Sequence, residues 1–159
     1  MDNVNVLRNG FIAPDFSLPD SQGNIFNLKQ KVDNCFIALC FFSNGGKERI
    51  NSYLKDLNQG LPKTGSGLTV NVIGICPETG AHLNQLKEKL KLAFRLLSDR
   101  KSVVASRYYL ADNSSHVPAN YFSVVVIDDT GIIRHRVTEI PGVSKYNPEE
   151  LKKEISRLI

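Results

Sequence analysis

The chain has 159 residues, 42% hydrophobic and 23% charged, with a formal net charge of +4. This length suits one domain with its own core, and without linkers, repeats or low-complexity segments we interpret residues 1–159 as a single domain. The basic residues are scattered among acidic ones, which argues against a nucleic-acid-binding face. No stretch reaches the roughly 20 apolar residues that cross a membrane, and residues 1–11 lack the pattern of a secretory signal, so we expect a cytoplasmic protein without membrane contact.

The first half of the chain predicts alternating strands and helices. Residues 15–28 have the pattern of two short strands around a Ser-Gln-Gly-Asn turn. Residues 35–42 and 68–76 are continuous apolar runs, typical of strands that are buried on both faces of a sheet. Between these runs the spacing predicts a helix over 46–58, with one apolar face formed by Ile50, Tyr53, Leu54 and Leu57.

The second half continues this alternation and then departs from it. Thr79 is a suitable N-cap for a helix whose apolar face holds Leu83, Leu86 and Leu90. A short strand and turn at 93–99 and a short helix at 101–110 follow. Residues 122–139 predict a hairpin around Asp-Asp-Thr-Gly, and Asn147 and Pro148 open a final helix that runs to Ile159. The order predicts a three-layer α/β domain with a mixed central sheet.

The cysteines and histidines do not predict a metal or cofactor site. The cysteines are three in number and lack the spacing of metal ligands, and the three histidines lie far apart in sequence. We therefore expect no bound metal and no cofactor. The cysteines fit the reduced thiols of a cytoplasmic protein.

Three segments resemble the peroxiredoxin family, also called the alkyl hydroperoxide reductase/thiol-specific antioxidant or AhpC/TSA family. They are GFIAPDFSLPDSQGNIFNL, VIGICPETGAHLNQLKEKLKLAFRLLSD and VVVIDDTGII. Their order and content are most similar to the bacterioferritin-comigratory branch, and the resemblance extends over about the whole chain. It implies a thioredoxin-like fold and a general antioxidant or redoxin class of function.

The resemblance also implies where a catalytic site would lie. The family uses a Pro-x-x-x-Thr-x-x-Cys loop that enters a helix, and an Arg on the strand before the hairpin. The helix N-terminus and the Arg lower the pKa of the thiol and hold the peroxide. Aligned from Phe42, the Pro, Thr, Cys and Arg positions fall on Ser43, Lys47, Ile50 and Phe122, and a resolving-cysteine position falls on Lys55. We therefore predict a degenerate site, and we expect these residues to converge at the start of the 46–58 helix.

Of the chain's own cysteines, Cys76 is the candidate for a reactive thiol at a non-standard position. Cys35 and Cys40 are predicted on one strand, five residues apart, so they should lie on opposite faces about 16 Å apart and form no disulfide within the domain. Cys40 lies inside the apolar run 35–42, so we expect its thiol to be buried and unreactive. Cys76 ends the second buried strand, just before Pro77, at the sheet edge where α/β proteins often bind ligands.

These observations leave three hypotheses for function. The first is a peroxiredoxin-like protein without standard peroxidase activity, which acts through an unknown protein partner or through assembly, as a monomer or homodimer. The second is a thiol-dependent antioxidant oxidoreductase that uses a non-standard cysteine such as Cys76. The third is a different activity on the same scaffold, such as the binding of a small anion by the backbone amides of Gly45 and Gly46.

Overall fold

The structure is a computed structural model that describes residues 9–30, 34–43, 47–109, 121–139 and 143–159. Within these ranges the strands are β1 Ser17–Pro19, β2 Ile25–Asn27, β3 Phe36–Phe42, β4 Val70–Cys76, β5 Arg95–Ser98, β6 Phe122–Ile127 and β7 Ile133–Glu139. The α-helices are α1 Glu48–Asn58, α2 Gly80–Leu90, α3 Val103–Tyr109 and α4 Pro148–Arg157. Short 3-10 turns lie at Leu28–Gln30 and Arg100–Ser102.

The central sheet is mixed, as the sequence predicts. Its five strands follow the order β5-β4-β3-β6-β7. Strand β3 pairs in parallel with β4, which pairs in parallel with β5, whereas β6 is antiparallel to both β3 and β7. The short strands β1 and β2 form a separate antiparallel pair. This arrangement confirms the α/β thioredoxin-like fold class.

The two faces of β3 belong to two hydrophobic clusters, which gives the domain its three layers. Cys40 and its even-numbered neighbours pack with residues of α1, α2 and α4. Leu39 and its odd-numbered neighbours pack with residues of α3 and of the β1–β2 pair. Cys35 packs against this second cluster, so the prediction that Cys35 and Cys40 lie on opposite faces is confirmed.

Two predicted helix caps are present. The Thr79 side chain accepts a hydrogen bond from the His82 backbone N–H at the start of α2. Asn147 Oδ1 accepts from the backbone N–H groups of Glu149 and Glu150, and Pro148 occupies the first turn of α4. These local signals place both helix starts correctly from the sequence.

Two predicted helix boundaries are wrong. The last helix ends at Arg157 instead of Ile159, because the backbone at Leu158 is extended. The helix predicted over 101–110 begins at Val103, because Lys101 and Ser102 have positive φ angles. The Asp99 carboxylate then accepts hydrogen bonds from two backbone N–H groups at the start of α3, as an N-terminal cap would. Helix α1 begins at Glu48, and residues 44–46 lie outside the described ranges.

Candidate functional site

The carboxyl end of β3 leads towards α1, and Ser43 and Lys47 lie on either side of this junction. Ser43 is buried and is held against Tyr121: its backbone N–H donates to Tyr121 O over 3.1 Å, and its Oγ accepts from Tyr121 N–H over 3.1 Å. Lys47 is exposed and is the N-cap residue of α1, but its side chain makes no capping hydrogen bond. The polar group of Ser43 is therefore used to join β3 to the segment before β6.

Ile50 and Phe122 are packing residues. Ile50 lies in the first turn of α1, Phe122 begins β6, and both have 0% of their surface exposed. Phe122 is the register partner of Phe42 across the β3–β6 pair. Ile50, Phe42 and Phe122 belong to the same hydrophobic cluster. Burial of this kind leaves neither side chain available to a substrate.

Three aromatic rings from separate elements meet beside this helix start. We call Tyr53, Phe122 and Tyr146 the aromatic cluster. The ring centroids of Tyr53 and Phe122 are 4.8 Å apart, those of Tyr53 and Tyr146 are 4.9 Å apart, and those of Phe122 and Tyr146 are 4.7 Å apart. Tilted and edge contacts at these distances are favourable for aromatic pairs. The cluster joins α1, β6 and the segment before α4.

A buried carboxylate lies next to the aromatic cluster. Glu139, the register partner of Phe122, accepts hydrogen bonds from the Tyr53 hydroxyl over 2.6 Å and from the Tyr146 backbone N–H over 3.2 Å. Its other oxygen accepts from Arg49 Nε over 2.8 Å. Burial alone would raise the pKa of Glu139, but these donors and the Arg49 charge outweigh it and lower the pKa. Burial and the Glu139 carboxylate raise the pKa of Tyr53 to about 12.

Cys76 and Cys40 are both deep in the core. Cys76 has 1% of its surface exposed and Cys40 has 0%. Burial raises the pKa of each thiol, and the nearby carboxylates of Glu78 and Asp99 raise the pKa of Cys76 further. A reactive cysteine needs the opposite setting, with positive charge and access to solvent. The structure therefore provides no activation of Cys76.

The sequence comparisons give the family. The model of the "AhpC/TSA family" matches residues 10–136, which is most of the chain. The chain belongs to the AhpC/TSA family. Peroxiredoxin Bcp of Escherichia coli strain K12 is 29% identical to it over 150 residues, covering 83% of this chain and 86% of Bcp.

Solved structures show the fold of this AhpC/TSA protein. Peroxidoxin BcpB from Mycobacterium tuberculosis has a TM-score of 0.75 at 17% identity, with 94% of each chain covered. PrxQ from Xylella fastidiosa, solved as a mutant, has a TM-score of 0.73 at 16% identity, covering 93% of this chain and 94% of PrxQ. At these identities the likeness supports the shared fold, which the resemblance in the sequence already implies.

The AhpC/TSA chain brings together most of the residues that we predict at the family's catalytic positions. Ser43 is hydrogen-bonded to the residue before Phe122, and Phe122 shares a hydrophobic cluster with Ile50. Lys47 lies at the exposed start of the same helix. Gly45 and Gly46, the predicted anion site, lie outside the described residues.

The sequence did not reveal the Glu139 contacts. Arg49 and Tyr53 are separated from Glu139 by 90 and 86 positions, so no local spacing connects them. The position of Tyr53 within the apolar face of α1 was the one available signal, because a buried tyrosine usually finds a partner for its hydroxyl.

Among the described residues of the AhpC/TSA chain, no group of three or more His, Cys, Asp or Glu is placed to hold a metal ion. The same ranges contain no helix that is both long and apolar enough to cross a membrane.

The burial of the thiols predicts their order of reaction. At pH 8 the folded protein should be alkylated by iodoacetamide at half-buried Cys35 and be protected at Cys40 and Cys76, because both buried thiols are inaccessible and protonated. Mass spectrometry of tryptic peptides, with urea-unfolded protein as the control, measures each site. Modification of native Cys76 as fast as Cys35 would contradict this prediction.

Proposed function

We propose that this AhpC/TSA protein lacks the standard thiol-peroxidase activity of its family and acts through binding or assembly. One observation carries the proposal: no cysteine occurs between Cys40 and Cys76, so the start of α1 has no thiol under any alignment. The side chains at the predicted Cys and Arg positions, Ile50 and Phe122, are fully buried hydrophobic groups. A peroxide would meet neither a nucleophile nor a cation from these two positions.

The chemistry of peroxide reduction explains why this loss matters. The thiolate is the nucleophile, and a free thiol with a pKa of about 8.5 is only a few per cent ionised at pH 7. A helix N-terminus and a neighbouring Arg increase that fraction and orient the peroxide. In this chain burial instead raises the pKa of Cys76, whose charged neighbours are acidic. The alternative function, a thiol-dependent oxidoreductase that uses Cys76, has no such support.

The proposal predicts the outcome of a peroxidase assay. With thioredoxin, thioredoxin reductase and NADPH, the protein should consume hydrogen peroxide no faster than an equal concentration of a small free thiol. It should not sustain turnover, because the start of α1 has no thiol to attack an oriented peroxide, and burial raises the pKa of Cys40 and Cys76. The rate of NADPH oxidation, followed at several peroxide concentrations, is the measurement. Saturable, thioredoxin-dependent reduction that Cys76→Ser abolishes would overturn the proposal and assign the activity to Cys76.

Variants provide matched controls for the same assay. Ile50→Cys alone should restore little, because a side chain at position 50 is buried beneath the helix and Phe122 occupies the predicted Arg position. The four changes Ser43→Pro, Lys47→Thr, Ile50→Cys and Phe122→Arg together should recover measurable turnover when circular dichroism shows a folded chain. If Ile50→Cys alone gives full turnover, position 50 is accessible and the argument from burial is wrong.

Partner, assembly and location are part of the proposal. A protein whose catalytic positions are filled by packing side chains can still bind other proteins through its surface. We therefore expect this protein to act through a protein partner, and to do so as a monomer or a homodimer. We also expect a cytoplasmic location, because three cysteines without the spacing of metal ligands fit the reduced thiols of a cytoplasmic protein.

A further inference from the structure

The Tyr53 hydroxyl has a proton acceptor in direct contact. It donates to Glu139 Oε1 over 2.6 Å, the length of a charge-assisted hydrogen bond between a hydroxyl and a carboxylate. Burial and this carboxylate raise the pKa of Tyr53 to about 12, so the hydroxyl keeps its proton at neutral pH. The loss of one electron makes a phenol strongly acidic. Tyr53 is therefore arranged to lose an electron and to pass its proton to Glu139 in the same step.

The Glu139 carboxylate is ionised and fixed in place. Burial raises the pKa of Glu139, but the hydrogen bonds from Tyr53 and the Tyr146 backbone and the charge of Arg49 lower it by more. Arg49 Nε lies 2.8 Å from the second carboxylate oxygen and holds it in orientation. A base that is already in hydrogen-bond contact with the proton needs no rearrangement to accept it.

Tyr53 is also accessible to a molecule in solution. Its side chain is half-buried, whereas the two rings that it contacts, those of Phe122 and Tyr146, are 0% and 4% exposed. Part of Tyr53 therefore contacts solvent while its ring is packed against the aromatic cluster. Electron transfer needs contact with the ring or hydroxyl but no binding pocket, so the packed core beneath Tyr53 does not prevent it.

Two other tyrosines lack this arrangement. The Tyr108 hydroxyl donates to the backbone carbonyl of Pro14, which is a much weaker base than a carboxylate. The Tyr146 hydroxyl is buried, and within the described ranges it has no hydrogen-bond partner. An oxidised Tyr146 would have no group to receive its proton, so the electron is lost more easily from Tyr53.

We propose that Tyr53 donates single electrons to oxidising radicals, with Glu139 as the acceptor of its proton. With an organic peroxyl radical, ROO•, one electron passes from the phenol to the radical, the O–H bond of Tyr53 breaks, and the proton bonds to the Glu139 carboxylate. The products are a neutral tyrosyl radical, a protonated Glu139 and ROO⁻, which takes a proton from water and becomes ROOH. A one-electron reductant such as ascorbate then returns an electron to Tyr53, and Glu139 returns the proton.

This activity goes beyond the proposed loss of thiol-peroxidase activity. It transfers one electron, involves no cysteine and needs no thioredoxin, whereas a thiol peroxidase reduces a hydroperoxide by two electrons. The peroxidase assay contains no source of peroxyl radicals, so the two proposals fail separately.

Laser-flash oxidation of the full chain tests the proposal. The probe is tris(bipyridine)ruthenium(III), formed by a flash from the ruthenium(II) complex and persulfate, and the readout is the absorption band of the tyrosyl radical. We expect a fast phase whose rate is constant from about pH 5.5 to 8, because Glu139 is ionised throughout this range. The groups that face Glu139 are Arg49 and Tyr53 of α1 and Tyr146 before α4, and burial raises the pKa of both tyrosines above this range. The rate should fall only below the ordinary glutamate pKa of about 4.3, as Glu139 becomes protonated.

Matched variants assign the fast phase to one hydroxyl. Tyr53→Phe should abolish it and leave the slower oxidation of other tyrosines. Tyr146→Phe removes an unpartnered hydroxyl from the same aromatic cluster and should leave the fast phase unchanged. Glu139→Gln keeps the shape of the side chain without the base, and it should slow the phase roughly hundredfold, the lower end of what a positioned base contributes. A fast phase that survives Tyr53→Phe, that Tyr146→Phe abolishes or that Glu139→Gln leaves at the wild-type rate would overturn the proposal.

Two further measurements separate proton transfer from a structural role of Glu139. The fast phase of the wild type should be slower in D₂O, and the residual rate of Glu139→Gln should rise with pH, because water and hydroxide then accept the proton. A nitroso spin trap should label the wild type mainly on the tryptic peptide 50–55, which contains Tyr53. Equal labelling of all tyrosine peptides in the native and the urea-unfolded chain would show unselective oxidation and overturn the proposal.

Discussion

Replacing Phe122 with Ala should lower the free energy of unfolding by about 3–5 kcal/mol, as the removal of a large core side chain does. Phe122 is fully buried, and its ring contacts both Tyr53 and Tyr146. The variant therefore loses the transfer energy of the ring and leaves a cavity between α1, β6 and the segment before α4. Urea denaturation followed by far-UV circular dichroism measures the change.

The size of this decrease in the free energy of unfolding distinguishes a packed region around Phe122 from an accessible pocket. A side chain that lines an accessible pocket would cost much less to remove, since water already contacts it. The control is Phe11→Ala, which deletes the same ring from a position that is 45% exposed and should change stability by under about 1 kcal/mol. If Phe122→Ala were no more damaging than Phe11→Ala, the aromatic cluster would not be the packed core that we describe. Phe122→Leu, expected to cost less, serves if the Ala variant does not fold.

Much of the fold could be predicted because its signals are local. The uniform apolar run at 35–42 is one residue longer than β3, and Thr79 and Asn147 mark helix starts that the structure confirms. These signals depend on residues within one or two turns of each other. The α3 boundary was missed because it depends on positive φ angles at Lys101 and Ser102, which neither residue type indicates.

The candidate site could be predicted only in part. The missing thiol is a fact of the sequence, and the burial of Ile50 follows from its place on the apolar face of α1. The groups that now fill this region depend on contacts between distant segments: Tyr146 and Glu139 both contact Tyr53 of α1 although they follow it by more than 80 positions in the chain. Periodicity in one segment contains no information on such contacts.

The aromatic cluster and the Glu139 contacts together give this end of the domain a structural role. A pocket that admits peroxide needs open volume and a positive charge that faces the peroxide. This region instead holds three contacting rings, and its Arg49 guanidinium is paired with the Glu139 carboxylate, which also accepts from the Tyr146 backbone N–H. Well-packed rings and satisfied polar groups stabilise a single arrangement. We infer that the start of α1 is held rigidly against β6 and β7.

Replacing Glu139 should be nearly as damaging as replacing Phe122. Glu139→Ala removes the acceptor for the Tyr53 hydroxyl and the Tyr146 backbone N–H, and an unsatisfied buried donor costs about 1–3 kcal/mol. We expect a total loss of about 2–4 kcal/mol in urea denaturation at pH 7. Glu139→Gln keeps an oxygen acceptor of the same shape and loses the negative charge that faces Arg49, so it should cost about 1 kcal/mol.

The pH dependence of this difference identifies the carboxylate as its source. Because the donors around Glu139 lower its pKa in the folded state, ionisation of Glu139 stabilises the fold above the ordinary glutamate pKa of about 4.3. That contribution disappears as the pH falls through the lower, folded-state pKa, where the side chain is protonated in both states. The stability of the wild type minus that of Glu139→Gln should therefore be constant above about pH 5.5 and decrease towards pH 3. Asp20 and Asp128, whose pKa values are also lowered, affect both proteins equally and cancel in the difference. A difference that stays constant down to pH 3 would show that the ionised form of Glu139 does not stabilise the fold.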